Sequence, residues 1–256
     1  MPILQRFELI SKVVILTGAA GLFGRQIALA LAEAGATLVL ASRNLGNLAQ
    51  LAAERSDLPI SCETLDQGKE NSILALRDGV VQKFGRVDGL VNNAVLRPMK
   101  SMNDPVSAWE ESMRVNATGL FLLTRAFGEV MRRQGGGSIV NIGSMQGMVG
   151  PSPELYTPEM GMPPPDYFFH KGGMINMTRY FASVYGRDNI RVNCVSPGGF
   201  FNNQPEPFLS RYKERTMLGR MADDNDLGGA IVFLLSDAAR YITAVNLPVD
   251  GGYTAK

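Results

Sequence analysis

Val13-Val14-Ile15-Leu16-Thr17-Gly18-Ala19-Ala20-Gly21-Leu22-Phe23-Gly24 is the stretch that decides the fold. Four consecutive aliphatic residues leave no polar face, which suits a strand buried on both sides within a parallel sheet. The glycines that follow allow a tight turn, a close backbone approach to a pyrophosphate, and close helix–sheet contact. A helical pattern opens at Leu22, and its N-terminus offers free N–H groups and partial positive charge to phosphates. A glycine-rich turn alone is only a turn; strand, turn and helix in this order make a phosphate-binding unit.

Working outward, apolar runs alternate with helical patterns to the end of the chain. Strands are expected at Val13–Thr17, Thr37–Ala41, Pro59–Leu65, Val87–Asn92, Ser138–Ile142, Ile190–Val195 and Ala244–Val249. Helical patterns fall near Leu22–Ala34, Leu45–Arg55, Asn71–Phe84, Pro105–Arg133 (with a break near Asn116), Tyr167–Gly186 and Asp223–Ser236. This alternation predicts an α/β protein: a doubly wound (Rossmann), mainly parallel seven-stranded sheet with helices on both faces. One domain spanning 1–256 is expected, with substrate loops near 145–166 and 198–220. The first of these, Met145–Asp166, holds four Met and six Pro and has no period. Loops this long inside compact domains are usually functional or disordered.

Composition narrows the classes. A chain of 256 residues with net charge +1 and 45% hydrophobic content is an ordinary globule, with no basic excess for nucleic acid and no acidic tail. No apolar stretch approaches the roughly 20 residues that span a membrane. The start lacks the charged and apolar regions of a signal peptide, so a cytoplasmic location is expected. Two cysteines, Cys62 and Cys194, make no disulfide scaffold, and a single histidine excludes the usual Cys/His zinc sites.

The end of the second strand reads Ala41-Ser42-Arg43-Asn44. A carboxylate there would bond the ribose hydroxyls of NAD(H) and repel a 2′-phosphate. None is present, and Arg43 is placed to pair with that phosphate, so NADP(H) is favoured over NAD(H). Asp66, at the end of the third strand, either accepts from an adenine amino group or caps the next helix.

Tyr167 and Lys171 close Tyr-Phe-Phe-His-Lys. Four residues apart on a helix, phenol and ammonium share a face. A free tyrosine is phenolate in only about one molecule in a thousand at pH 7, and a nearby cation raises that fraction. Tyr167 is thereby a candidate proton donor and acceptor. If Asp166 caps this helix, Tyr167 lies in its first turn, where the helix dipole favours phenolate further. His170 suggests a Ser-His-Asp arrangement with Ser144, but it points roughly 100° away from Lys171 on the helix, so that reading is not preferred.

These pieces, with Asn92-Asn93-Ala94, Val115-Asn116, Ile142-Gly143-Ser144, Ile190-Arg-Val-Asn193 and Pro197-Gly198, resemble the compact, single-domain branch of the short-chain dehydrogenase/reductase family over essentially the whole chain. The resemblance implies an NAD(P)-dependent oxidoreductase that interconverts a secondary alcohol and a ketone. In that scheme Ser144 polarises the substrate oxygen, Tyr167 exchanges its proton, Lys171 binds the nicotinamide ribose and lowers the phenol's pKa, and Asn116 positions a water behind Lys171. Cofactor contacts are expected from Gly18, Gly21, Leu22, Phe23, Gly24, Ser42, Arg43, Asp66, Asn92, Ala94, Tyr167, Lys171, Pro197 and Gly198. No metal is implied. Helices near Pro105–Arg133 and Tyr167–Gly186 are the family's usual dimer faces, so a homodimer or homotetramer is expected.

Several positions depart from the family pattern. Gly21 stands one residue before the usual middle glycine, a spacing shared with the larger sugar-nucleotide-modifying branch. Val95 replaces the glycine usual after Asn-Asn-Ala, and Asn202 stands where a threonine is common. The 22 residues between Ser144 and Tyr167 make a loop longer than the family's usual one. Tyr156 is nearer the usual spacing, yet Met160 rather than a lysine stands four residues on. That loop and Phe201–Arg215 more loosely resemble members of bacterial surface-sugar and flagellin-sugar pathways, which points to a sugar- or polyol-derived substrate. Arg97, Lys100, Arg211 and Lys213 are either contacts for an acidic substrate or solvated charge. Rival readings are a 3-oxoacyl thioester reductase, a non-catalytic dinucleotide sensor, and a sugar-nucleotide epimerase or dehydratase, which would need a second domain.

Overall fold

The computed structural model describes residues 1–256. Its centre is one parallel sheet of seven strands: β1 (Val13–Thr17), β2 (Thr37–Ser42), β3 (Ile60–Thr64), β4 (Gly89–Asn92), β5 (Gly137–Ile142), β6 (Ile190–Pro197) and β7 (Asn246–Val249). Their spatial order is β3-β2-β1-β4-β5-β6-β7, and every pairing is parallel. The order reverses between β1 and β4, which opens a crevice at the carboxyl ends of these strands.

Eight helices cover the sheet: α1 (Leu22–Glu33), α2 (Leu45–Glu54), α3 (Glu70–Phe84), α4 (Val106–Met113), α5 (Gly119–Gln134), α6 (Pro165–Tyr185), α7 (Phe208–Arg215) and α8 (Gly228–Leu235). Strand alternation sorts the core into two layers. Val14, Leu16, Leu38 and Leu40 pack with Ile27 and Leu31 of α1 and with Ile231 and Leu234 of α8. Val13, Ile15 and Val39 face the other way, onto Ile73 of α3, Phe127 of α5 and Phe181 of α6. Each fully buried aliphatic side chain stabilises the fold by about 1.5–3 kcal/mol relative to exposure.

The expected elements are present, with informative shifts. The long 105–133 pattern is two helices joined by a π-helical turn, Arg114–Thr118, that contains Asn116. α8 begins at Gly228 rather than Asp223, because Arg220 pairs with Asp226 at 2.5 Å and Asp226 accepts from the Asp223 N–H at 2.8 Å. These bonds hold 220–226 as a polar turn. The expectation for Asp166 is corrected. α6 starts at Pro165 and Asp166 makes no capping bond, because proline tolerates the first helical position, where an N–H is not needed. The helix α7 stands in the second expected substrate loop; the prolines before Phe208 obscure its period.

A third, smaller cluster joins the two loops. Met145, Leu155, Phe208, Tyr212 and Met221 are buried together, with Tyr156 and Tyr253 against them. Glu154 fastens this layer from outside: its carbonyl accepts from Arg211 at 2.9 Å and its carboxylate pairs with Arg215. The 145–166 segment is therefore packed onto α7.

Candidate active site

A cavity of about 710 Å³ lies in the crevice over the carboxyl ends of β1, β2, β4, β5 and β6. One end is walled by the glycine-rich turn. Gly18 has φ +69°, and a Cβ there would fall 2.7 Å from Cα of Ala94. A Cβ on Gly24 would fall 2.2 Å from the Gly18 carbonyl oxygen, so helix and turn touch through backbone alone. A Cβ on Gly21, by contrast, would meet only the Gly18 carbonyl oxygen, at an ordinary 3.5 Å, and Gly21 immediately precedes the first turn of α1. The turn is braced against the β4 loop: the Thr17 hydroxyl accepts from the N–H groups of Asn93 and Ala94 at 3.1 and 3.0 Å. Asn93 Nδ2 donates to the carbonyls of Thr17 and Gly18.

Ser42 and Arg43 extend this wall, and Arg43 is exposed and makes no ion pair. Asp66 lies opposite, accepting from the Gly68 N–H at 3.1 Å and pairing with Lys69 at 3.4 Å. Burial pushes its carboxyl up, but Gly68 and Lys69 outweigh that and hold it below the ordinary value. The helix that follows begins at Glu70 with Lys69 before it, so Asp66 does not cap it. A turn with glycines at 18, 21 and 24, a free helix N-terminus and an unpaired arginine fit a dinucleotide diphosphate, and the volume lies within the range of small-molecule sites.

The other end gathers Ser144, Tyr167 and Lys171. Ser144 leaves β5 in an extended conformation, and its hydroxyl accepts from the Gln146 N–H at 3.1 Å. The following turn lies directly on α6: a Cβ on Gly147 would fall 2.6 Å from the backbone carbon of Lys171. That contact brings serine and helix together despite the long loop between them. Lys171 is buried, its Nζ donating to the Ile142 carbonyl at 2.5 Å and lying 5.6 Å from the Tyr167 ring centre. Burial pushes the ammonium down. Burial pushes the Tyr167 phenol up, yet Lys171, then Arg97, then the Ser144 hydroxyl outweigh it and leave the phenol below its ordinary value.

Of the expected site residues, Gly18, Gly21, Leu22, Phe23, Gly24, Ser42, Arg43, Asp66, Ala94, Ser144, Tyr167, Lys171, Pro197 and Gly198 all line this one cavity. Two do not. Asn92, expected to touch cofactor, is buried in the sheet, donating to Asn141 Oδ1 at 2.8 Å and Thr124 Oγ1 at 3.2 Å. Strand alternation turns it towards α5 rather than towards the crevice. Asn116 is buried behind the cavity wall, where its amide accepts from the Leu96 N–H at 2.8 Å and donates to the Leu96 carbonyl at 2.7 Å.

His170 sits edge-on to Tyr167, ring centres 5.2 Å apart. Burial, then Lys171 and Arg97, push its imidazole down to about 3, and neither ring nitrogen has a hydrogen-bond partner. A histidine of this kind stays neutral and is a poor proton acceptor near neutrality. Tyr156 also lines the cavity, but its ring packs 5.7 Å from Phe208 and burial pushes its phenol up. Gln146, Gln204 and Tyr212 of the lining fall inside the two expected substrate loops, whereas Met221 lies just beyond them and joins the lining through its packing against α7. No group of His, Cys, Asp or Glu is arranged to hold a metal ion, and no helix is long and apolar enough to cross a membrane.

Comparison with known proteins gives matches over nearly the whole chain. The family model described as "Enoyl-(Acyl carrier protein) reductase" matches residues 18–254. A 3-oxoacyl-[acyl-carrier-protein] reductase of Thermotoga maritima is 32% identical over 94% of this chain and 97% of its own length. A 2-dehydro-3-deoxy-D-gluconate 5-dehydrogenase of Escherichia coli K12 is 31% identical over 99% of this chain and 100% of its own. Among solved structures, a gluconate 5-dehydrogenase of Burkholderia cenocepacia in complex with NADP and tartrate superposes with TM-score 0.89 at 29% identity, covering 99% of both chains.

Proposed function

The chain belongs to the short-chain dehydrogenase/reductase family and is an NAD(P)-dependent oxidoreductase of alcohols and ketones; from that premise we propose that it acts on a sugar- or polyol-derived secondary alcohol, with NADP(H) as the favoured cofactor. The observation that carries the reading is the convergence of Ser144, Tyr167 and Lys171 at one end of a cavity whose other end is a glycine cradle beside Arg43.

The bound cofactor would supply hydride acceptance or donation at its nicotinamide ring, held by the Gly18–Gly24 turn, Arg43 and Lys171. The residues of the chain handle the proton and the charge. In oxidation, Tyr167 Oη as phenolate takes the proton of the substrate hydroxyl, while Ser144 Oγ donates a hydrogen bond to the same oxygen. In reduction the same phenol returns the proton. Lys171 stabilises the phenolate without leaving its bond to Ile142. Asn116 acts through structure: clamping both polar groups of Leu96, it fixes the loop that walls the site. A water relayed from it to Lys171 is part of this reading.

A thioester substrate, as the Thermotoga maritima relative's name carries, is the second reading. Polyhydroxylated substrates suit the lining better, because Gln146 and Asn202 bring side-chain amides to the pocket. A homodimer or homotetramer is part of the proposal. Phe169, Tyr180 and Val184 are exposed along one face of α6, and an apolar stripe of that kind suits a second copy of the chain. The two free cysteines suit a reducing compartment such as the cytoplasm.

A spectrophotometric panel of sugars, polyols, sugar acids and 3-oxoacyl thioesters, run with both cofactors, tests the assignment. Turnover of at least one polyhydroxylated substrate with NADP+ is expected. Activity confined to thioesters would replace the reading.

A further inference from the structure

We propose that Arg97 is the substrate-selecting residue of this site and that it binds a carboxylate, so that the physiological substrate is a sugar acid or related polyhydroxy acid rather than a neutral polyol. The inference deepens the function proposed above and rests on Tyr167 marking the reacting carbon.

The Arg97 guanidinium carbon lies 4.5 Å from the centre of the Tyr167 ring and faces the cavity. Its backbone is held firmly. The preceding residue, Leu96, has both its N–H and its carbonyl bonded to the buried Asn116 side chain, and Pro98 follows. The guanidinium is thus presented from a backbone anchored at the residue just before it.

Charge bookkeeping around the cavity isolates this cation. Four cations line it. Lys171 is committed to Ile142, and Arg114 is committed to Glu111 at 2.7 Å and to the Gly68 carbonyl. Arg43 lies at the adenosine end. Arg97 forms no ion pair, and Asp66, the only carboxylate in the lining, stands at the far end with Lys69. The reacting end therefore offers one unneutralised guanidinium and no acid to compensate it. A planar monoanion meets such a fork through two parallel hydrogen bonds. A phosphate dianion would call for a second free cation nearby, and Lys100 is instead bonded to the Arg97 carbonyl at 3.1 Å. The neighbouring amide of Gln146 is left for hydroxyl groups, while that of Gln204 is held by the Asn202 N–H and the Phe200 carbonyl, both at 2.8 Å.

Two measurements decide the matter. First, kcat/KM is compared for matched pairs on the NADP+ holoenzyme: D-gluconate against D-glucitol, D-galactonate against galactitol, and D-gluconate against glucose 6-phosphate as the phosphate arm. The wild type is expected to prefer the acid at least tenfold, Arg97→Gln to lose at least tenfold of that acid-to-alditol ratio, and Arg97→Lys to fall between. The ratio is read because Arg97 also acts on Tyr167, which alters both substrates together. Second, tartrate binding to the NADP+ complex is measured by calorimetry in wild type, Arg97→Gln and Tyr167→Phe. Binding is expected in the wild type and in Tyr167→Phe, and its loss in Arg97→Gln. Equal tartrate binding by wild type and Arg97→Gln, no tartrate binding by the wild type, an unchanged ratio, or preference for alditols or the phosphate ester would overturn the proposal. If no sugar compound is turned over, the sugar reading fails on its own, and the calorimetry still decides whether Arg97 holds a carboxylate.

Discussion

The guanidinium of Arg97 rests over the ring of Tyr167, 4.5 Å from its centre, while Lys171 approaches the same ring from 5.6 Å. Two cations therefore act on one phenol. Each favours the phenolate, and together with Ser144 they reverse the upward push of burial. The second cation stands 70 positions from the phenol in sequence and reaches it only through the fold.

Removing Arg97 tests this pairing through pH. Loss of a cation destabilises the phenolate and raises the Tyr167 pKa, so the acidic limb of the oxidation pH profile should move to higher pH in Arg97→Gln. A kcat/KM profile from pH 6 to 10 checks it; coincident profiles would show that Arg97 exerts no field on the proton donor.

Tyr167→Phe and Ser144→Ala should each keep the wild-type circular dichroism spectrum and melting temperature while turnover drops by about 10²–10⁴-fold, the usual worth of a positioned proton-transfer group. Tyr156→Phe is the control and should retain activity, because its ring serves the packing under α7. A fully active Tyr167→Phe would remove the residue from the mechanism.

Arg43→Asp should invert cofactor preference. The new carboxylate would repel a 2′-phosphate and bond the ribose hydroxyls instead. At least a tenfold fall in kcat/KM for NADPH with a rise for NADH is the expected outcome, and a wild type that already prefers NADH would defeat the premise.

His170 makes stability depend on pH. Its folded pKa of about 3 lies below the unfolded value, so the unfolded state binds the proton more readily. The stability this group contributes is complete above about pH 6.5 and falls by about 1.4 kcal/mol for each pH unit below it, down to about pH 3. His170→Leu should remove this part of the acid sensitivity. Denaturant melts of both proteins at pH 7.5 and 5.5 give the difference, and parallel losses would refute it.

The glycines of the turn should separate folding from binding. Gly24→Ala forces a Cβ within 2.2 Å of the Gly18 carbonyl, and overpacking of this kind costs about 1–3 kcal/mol. Gly21→Ala meets nothing closer than 3.5 Å, so it should melt like the wild type yet bind cofactor at least fivefold more weakly. Fluorescence titration with NADPH beside a thermal melt distinguishes them.

Local chemistry carried much of this protein in plain view. Aliphatic runs such as Val13–Leu16 report burial on both faces, and the Gly18–Gly24 turn reports close backbone contact, because both depend on neighbours in sequence. Helix pitch likewise puts Tyr167 and Lys171 on one face whatever surrounds them. Asn92 escaped that logic, since its type suited a cofactor contact while its strand register turned it into the network with Thr124 and Asn141. Asp166 escaped it too, because Pro165 can begin a helix as readily as end a loop.

Sequence by itself determined the parallel sheet, the glycine-rich turn and the phenol–ammonium pair, since period, spacing and glycine steric freedom act over a few residues. Tertiary structure alone decided that Gly147 seats Ser144 against Lys171 across a 22-residue loop, that Asn116 clamps Leu96, and that Arg97 comes to lie on Tyr167. Those contacts join segments far apart in the chain, and their geometry follows from how helices dock on the sheet.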